Sequence, residues 1–330
     1  MTESTLSQTR TQLRQEIGYF LGYGRTVDDW STEEESDIDA ALNKGLRQFY
    51  FPPRLTPQES AHEWSFLKPI DTLTTIASYT TGTIAVADES KTVTLTTGTW
   101  PSWAATHGSL VIDTVEYAIS TRDGDSQITL SSAFDGTTLT AGDYTLWHDG
   151  NYDMPDDFGG MEGEMTFAVT TQFMPLKRIG EGQVRAERQL TTARSRPIFV
   201  AVRPKESDGT DGQRFEAMLV PIPGSTTYTL TYRKRILANA LSATIINPYG
   251  GMAHSDTILA SCLAAAELQI EDAKGARWME FKERLAASVD ADRKANSQEY
   301  FGYNGDNSDG TSRHVLNQDV LVTYNGDSTS

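Results

Sequence analysis

Gly124-Asp125-Ser126 has the residue order of an esterase nucleophile motif, in which a serine hydroxyl attacks a carbonyl once a neighbouring base takes its proton. No Asp-x-x-His follows near the C-terminal end to supply that base, and the stretch reads as a hairpin turn. Gly180-Glu181-Gly182 could begin a phosphate-cradling loop, but a third glycine and a delivering strand are missing, so a loop starting a helix is the plainer reading. His62, His107, His148, His254 and His314 are scattered, with no His-x-x-x-His pair to set two imidazoles on one helix face. Asp208 to Gly212 and Asp306 to Gly310 are acidic and glycine-rich but miss the ligand spacing of a calcium loop. Cys262 is the single cysteine, which excludes an intrachain disulfide and a cysteine metal cage. Its neighbours Leu259, Leu263 and Ala266 suggest a buried thiol in a helix. The expectation is a protein that is not an enzyme and that carries no catalytic residue, cofactor or metal.

Two groups of residues stay open to more than one reading. Trp100, Trp103 and Trp147 could stack on sugar rings or pack in a core. The acid run Glu33, Glu34, Glu35, Asp37 and Asp39 is either a solvated helix start or an electrostatic lining.

The elements that must position these residues change period along the chain. Leu6, Leu13, Ile17, Phe20 and Leu21 recur at three- and four-residue steps and stop at Gly22-Tyr23-Gly24, which predicts a first helix. A second is predicted after Trp30-Ser31, with Thr32 and Glu35 at capping-box spacing and Pro52-Pro53 ending it. From about Leu73 to Leu146 the period is two. Short runs such as Thr92 to Leu95 and Ile128 to Leu130 are separated by turns at Asp123 to Ser126 and Ala141 to Asp143, which argues for a small barrel or sandwich. A short helix is expected over Ile179 to Leu190. Strands follow at Pro197 to Val202, Phe215 to Val220 and Thr227 to Tyr232, with Ser207 to Gly212 as a hairpin loop. Ser255 is the expected N-cap of an Ala-rich helix through Ile270, and Trp278, Phe281, Leu285 and Val289 continue it as one kinked helix or a second one.

The fold class expected is α+β: a helical bundle framework from both chain ends, an inserted antiparallel β barrel or sandwich, and an extended C-terminal arm. The divisions are 1–74 (N-terminal helices), 75–150 (β insertion), 151–295 (mixed strands and C-terminal helices completing the framework) and 296–330 (flexible arm). The arm has a linker's Gly/Asn/Asp/Ser composition around one apolar run, from Val315 and Leu316 through Val320 and Leu321 to Tyr324, suited to docking by strand addition.

There are 45 acidic residues against 28 basic ones, a net charge of −17. Such a surface repels phosphate, which excludes conventional DNA or RNA binding while leaving room for a protein that lets DNA pass without gripping it. No stretch approaches the ~20 apolar residues of a membrane span. Met1 to Arg14 lacks the apolar region of a secretory signal, so folding in a cytoplasm is expected.

Three segments carry a resemblance. Ala41-Leu42-Asn43-Lys44-Gly45-Leu46-Arg47-Gln48-Phe49-Tyr50-Phe51-Pro52-Pro53 closes the second helix, His62-Glu63-Trp64-Ser65-Phe66-Leu67-Lys68-Pro69 follows, and Tyr152-Asp153-Met154-Pro155-Asp156-Asp157-Phe158 comes after the β insertion. Together with the C-terminal Ala-rich helices and trailing tail, they resemble the head-to-tail adaptor (connector) proteins of tailed bacteriophages. The resemblance transfers no active-site residue, and the insertion is larger than minimal members of that family carry. It implies a ring of twelve copies between the portal protein and a downstream neck, nozzle or tail protein, with double-stranded DNA passing through unbound. The place of action would be the head–tail interface of the virion, after assembly in the host cytoplasm and without a membrane. Under that reading Glu33, Glu34, Glu35 and Asp37 would line the DNA channel, and Val315, Leu316, Val320, Leu321 and Tyr324 would dock on the portal. Two alternatives remain: another tail or fibre component whose β domain binds carbohydrate, and a hydrolase whose catalytic residues form no recognisable motif.

Overall fold

Thr9 opens the first helix of the computed structural model, which describes residues 3–57, 60–191, 193–207, 209–210, 212–296, 322–324 and 327–329. Its hydroxyl accepts from the Gln12 N–H while the Gln12 side chain accepts from the Thr9 N–H, so α1 runs Arg10–Leu21. Gly22, in the left-handed region at φ 89°, ends it. Leu6, expected on the helix, instead precedes it and is 73% exposed.

Helix α2 spans Thr32–Tyr50, and its capping box is Ser31 with Glu34, one residue before the expected Thr32 and Glu35. The Ala-rich region forms two helices, α5 (Gly251–Glu271) and α6 (Ala276–Asn296). Ser255 is not the cap. Gly250, at φ 108°, sets the start of α5, and the Ser255 hydroxyl sits inside the helix, donating to the Gly251 carbonyl and accepting from the Gln8 N–H at 3.1 Å each. Glu267 near the end of α5 caps α6, its carboxylate accepting from the N–H groups of Gly275, Arg277 and Trp278 at 3.0–3.1 Å. Leu13 and Ile17 of α1, Ile38, Leu42 and Phe49 of α2, Ile258 and Cys262 of α5, and Phe281 and Leu285 of α6 share one buried core.

Between these helices the chain is mostly β. In chain order come β1 (Ile70–Thr74), β2 (Ile84–Val86), β3 (Thr92–Leu95), the one-turn α3 (Ala104–His107), β4 (Gly108–Ile112), β5 (Val115–Arg122), β6 (Gln127–Leu130), β7 (Leu139–Gly142) and β8 (Thr145–His148). Next are β9 (Asn151–Asp153), β10 (Phe158–Phe167), β11 (Lys177–Arg178), α4 (Glu181–Leu190), β12 (Phe199–Pro204), β13 (Phe215–Val220) and β14 (Thr229–Ile236).

Strands β2 to β8 form one curled antiparallel sheet in the order β7-β2-β3-β6-β5-β4-β8. β7 and β8 are consecutive in sequence yet lie at opposite edges, so the sheet is a half-barrel. Alternation sends Val93, Leu110, Ile112, Ile128 and Leu146 inward around Trp100 and Phe134. Ala141 and Gly142, expected in a turn, belong to the edge strand β7. The two ends of this insertion meet: Tyr79 and Leu146 exchange both backbone hydrogen bonds at 2.9 Å.

Two further sheets, β1-β14-β10 and β11-β12-β13-β9, share a second β core that includes Leu73, Phe158, Met165, Val200, Leu219 and Leu230. α4 covers the other side of the second sheet with Val184. β1, which precedes the insertion, pairs antiparallel with β14, which follows it. The chain is thus mixed α+β, with six helices among the described residues and a curled antiparallel sheet. Val315, Leu316, Val320 and Leu321 lie outside the described residues. Tyr324 ends β15 (Val322–Tyr324), which pairs with β16 (Asp327–Thr329) as a small antiparallel hairpin.

Candidate functional site

The acid run holds α1 against α2. Glu34 caps its own helix, accepting from the Ser31 N–H at 2.7 Å. Glu35 reaches Arg14 at 3.0 Å, and Asp39 reaches Arg14 at 2.9 Å and Arg10 at 3.2 Å. The Tyr23 hydroxyl donates to Asp37 at 3.0 Å, and that bond, with burial and the carboxylate's charge, raises the tyrosine pKa. Glu33 is exposed. Three of the four acids expected on a channel wall therefore already hold structural partners, and Glu33 is the one best placed to act on something outside the chain.

Two of the three segments behind the resemblance adjoin in the helical core. The Trp64 indole N–H donates to the Phe49 carbonyl at 2.7 Å, with the two rings 4.8 Å apart, while the Tyr152 to Phe158 segment enters the β sandwich instead. Beside Trp64 an apolar cavity of about 370 Å³ is lined by Pro52, Leu67, Ile236, Lys68 and Arg235 among others.

Asp292 of α6 anchors the same segment. It accepts from the Ser65 hydroxyl, from the Ser65 N–H at 3.2 Å, and pairs with His62 at 2.8 Å. The serine bonds the carboxylate rather than the imidazole, so the trio lacks the serine–histidine link of a nucleophilic triad. Burial alone would raise the Asp292 carboxyl, but the Ser65 and His62 hydrogen bonds outweigh it and hold it below the usual carboxylate range. A carboxyl lowered by folding contributes stability above its unfolded pKa of ~3.9, and that stability is lost as pH falls through the folded pKa. Asp292→Ala is therefore expected to cost about 2–3 kcal/mol near neutrality. In urea titrations the gap to the wild type should close as the pH drops below about 4; a gap independent of pH would show that the charge contributes nothing.

The densest polar cluster lies where the curled sheet returns to the sandwich. His107 ends α3, and the β4–β8 register places Gly108 opposite His148, which brings the two histidines together. Their rings stack at 5.1 Å, and His148 stacks on Tyr152 at 4.5 Å. Asp149 Oδ2 lies 3.3 Å from His107 Nδ1, and Asp149 Oδ1 lies 3.4 Å from His148 Nδ1. The Asn151 backbone and side-chain N–H groups fix that carboxylate at 2.8 and 2.9 Å. The hydrogen bond to Asp149 raises the His107 pKa, whereas burial pushes His148 down to about 4.

Arginines secure this turn. Arg188 of α4 donates to the carbonyls of Gly150 and Leu219 and to the Asn151 side chain, and Arg194 donates to the His148 carbonyl at 2.9 Å. A cavity of about 420 Å³, lined by Trp103, His107, His148, Tyr152 and Asp153 among others, opens beside the cluster. No sequence spacing announced it, because strand pairing and not helical repeat joins the two histidines. The adjacent His148-Asp149 pair was the one local hint.

Of the tryptophans weighed as sugar platforms, Trp100 is fully buried in the half-barrel and Trp147 lies under the Arg194 guanidinium at 4.9 Å. Trp103 packs on His148 at 5.3 Å. Gly124-Asp125-Ser126 turns between β5 and β6, with the Asp123 and Gly124 N–H groups donating to the Gln127 carbonyl. Cys262 is buried, and burial pushes its thiol up to about 12, so it is inert. Leu6, Ile246 and Met252 are exposed on the helical part, where the Arg10 N–H bonds the Ile246 carbonyl and the Ser4 hydroxyl meets the Met252 sulfur. Among the described residues, no helix is long and apolar enough to cross a membrane. No protein-family model and no curated protein matches this sequence.

Proposed function

We propose that this chain is a structural virion protein and not an enzyme: a head-to-tail adaptor that assembles as a ring between the portal protein and a neck or tail component, with DNA passing through. The observation that carries this reading is the core closed by helices from both chain ends, with the β layers looped out between them. Such an arrangement leaves the helical bundle as a framework that can pack side by side with copies of itself. The exposed Leu6, Ile246 and Met252 supply apolar surface of the kind that marks a protein interface. A net charge of −17 on every copy suits a passage to which DNA does not adhere. In this reading twelve copies form the ring at the head–tail interface, and the C-terminal arm, through Val315, Leu316, Val320, Leu321 and Tyr324, reaches the portal. Assembly takes place in the host cytoplasm.

Negative-stain imaging and mass photometry of the protein, alone and mixed with purified portal, test the reading. Rings seated on the portal are the expected result; a chain that stays monomeric and leaves the portal bare at micromolar concentration overturns it. Glu33 is the clean probe of the channel, since Glu34, Glu35 and Asp37 each carry a structural contact. In assembled rings Glu33→Lys should retain DNA at low salt and release it as salt rises, the signature of added phosphate contacts. DNA release identical to that of the wild type at every ionic strength would place Glu33 on the outside of the ring.

A further inference from the structure

We propose that His107, His148 and Asp149 bind a divalent transition-metal ion, with zinc the best fit, at the turn where the half-barrel rejoins the sandwich. One nitrogen from each imidazole and one carboxylate oxygen lie within 4.8 Å of one another. Zinc sits about 2.0–2.2 Å from such ligands, so closing around an ion asks each side chain to move by at most ~0.7 Å. Two imidazoles and one carboxylate select zinc or a neighbouring transition metal over calcium or magnesium, which prefer oxygen alone.

The hydrogen bonding sets the protonation state of one of the ligands. His148 Nδ1 accepts from the Gly150 N–H at 3.1 Å, so this nitrogen carries a lone pair and no proton. The same atom is held 3.4 Å from Asp149 Oδ1, which is also an acceptor. An ion held by both atoms would take over the lone pair that the Gly150 N–H now occupies. The surroundings are those of a built site. Asn151 orients the Asp149 carboxylate with two hydrogen bonds, and Asp153 Oδ2 stands 4.0 Å from His107 Nε2, within reach of the second-shell carboxylate that commonly steadies a ligating imidazole. His107 and His148 both line the neighbouring cavity, which gives an ion an entry path to them.

An ion there would bind α3, the end of β8 and the exit from the insertion to one point, clamping the half-barrel to the sandwich. This does not depend on the adaptor reading.

The full-length chain, stripped with a chelator, is titrated with Zn²⁺ by calorimetry and with Co²⁺ by visible absorption. The expected result is one equivalent of Zn²⁺ that displaces Co²⁺ and its ligand-field band, with a thermal midpoint that rises with Zn²⁺ concentration. His107→Ala and Asp149→Asn should each weaken binding by at least about tenfold, and His62→Gln, outside the cluster, should leave it unchanged. His148 is too buried for a clean substitution. X-ray absorption of the zinc-loaded wild type therefore counts imidazoles without any variant: two support the site, and one or none overturns it. Absence of saturable Zn²⁺ binding, or affinity equal to wild type in both the His107 and Asp149 variants, overturns it as well.

Discussion

Gly45→Ala should destabilise the protein, although glycine to alanine inside a helix ordinarily stabilises it by about 1 kcal/mol. Gly45 lies where α2 crosses α5, and a Cβ placed there would come within 2.5 Å of Cys262 Cα and 2.8 Å of its backbone nitrogen. Backbone atoms cannot rotate aside as a side chain can, so the two helices must separate. The Ser261 hydroxyl, which donates to the Gly45 carbonyl at 2.8 Å, would lose its partner with them. Overpacking of this kind costs about 1–3 kcal/mol and the lost hydrogen bond about 1 kcal/mol, so after a helix gain of about 1 kcal/mol the net loss is about 1–3 kcal/mol. Gly45→Val should cost more still. Urea unfolding followed by far-ultraviolet circular dichroism reads the effect; a higher midpoint for Gly45→Ala would mean that the helices are not held this close in solution.

Removing the half-barrel should leave the rest folded. Tyr79 and Leu146 already exchange two backbone hydrogen bonds, and the half-barrel has its own core around Trp100 and Phe134. Replacing Ser78 to His148 with a short Gly/Ser linker is therefore expected to give a soluble protein whose helical signal per molecule matches the wild type. A loss of about 1–3 kcal/mol should follow, because Tyr152 loses the cover of the His148 ring. Aggregated product with no helical signal would show instead that the half-barrel and the helices stabilise one another.

Much of this architecture was legible locally. The Thr92 to Leu95 run is a strand with the bounds its alternation suggested, because period-two burial is a short-range property. Phe215 to Val220, a strand with the expected bounds, is instead a run buried on both faces. The helix starts were harder. Ser31 with Glu34 and Thr32 with Glu35 are overlapping candidates for a capping box; the first forms, and Glu35 pairs with Arg14 of α1 instead. Ser255 looked like a cap because its type suits one, yet it joins the N-terminal segment to α5 through Gln8 and Ser7. The division of the middle of the chain into two β layers was not legible, since it depends on β1 pairing with β14 and β9 with β13 across long stretches of sequence. The meeting of His107 with His148 was hidden for the same reason.

The core shared by both chain ends also sets an order of events during synthesis. α1 and α2 are translated early, but their apolar faces bury Cys262 and Phe281, which the ribosome has yet to make. At roughly 5–20 residues per second, those faces wait on the order of ten seconds or more for α5 and α6. In that interval the half-barrel, all of whose strands are made by His148, can complete itself. Helices α1 and α2 are thus among the last to be buried, and the nascent chain is exposed to capture by chaperones or other chains until α5 and α6 emerge.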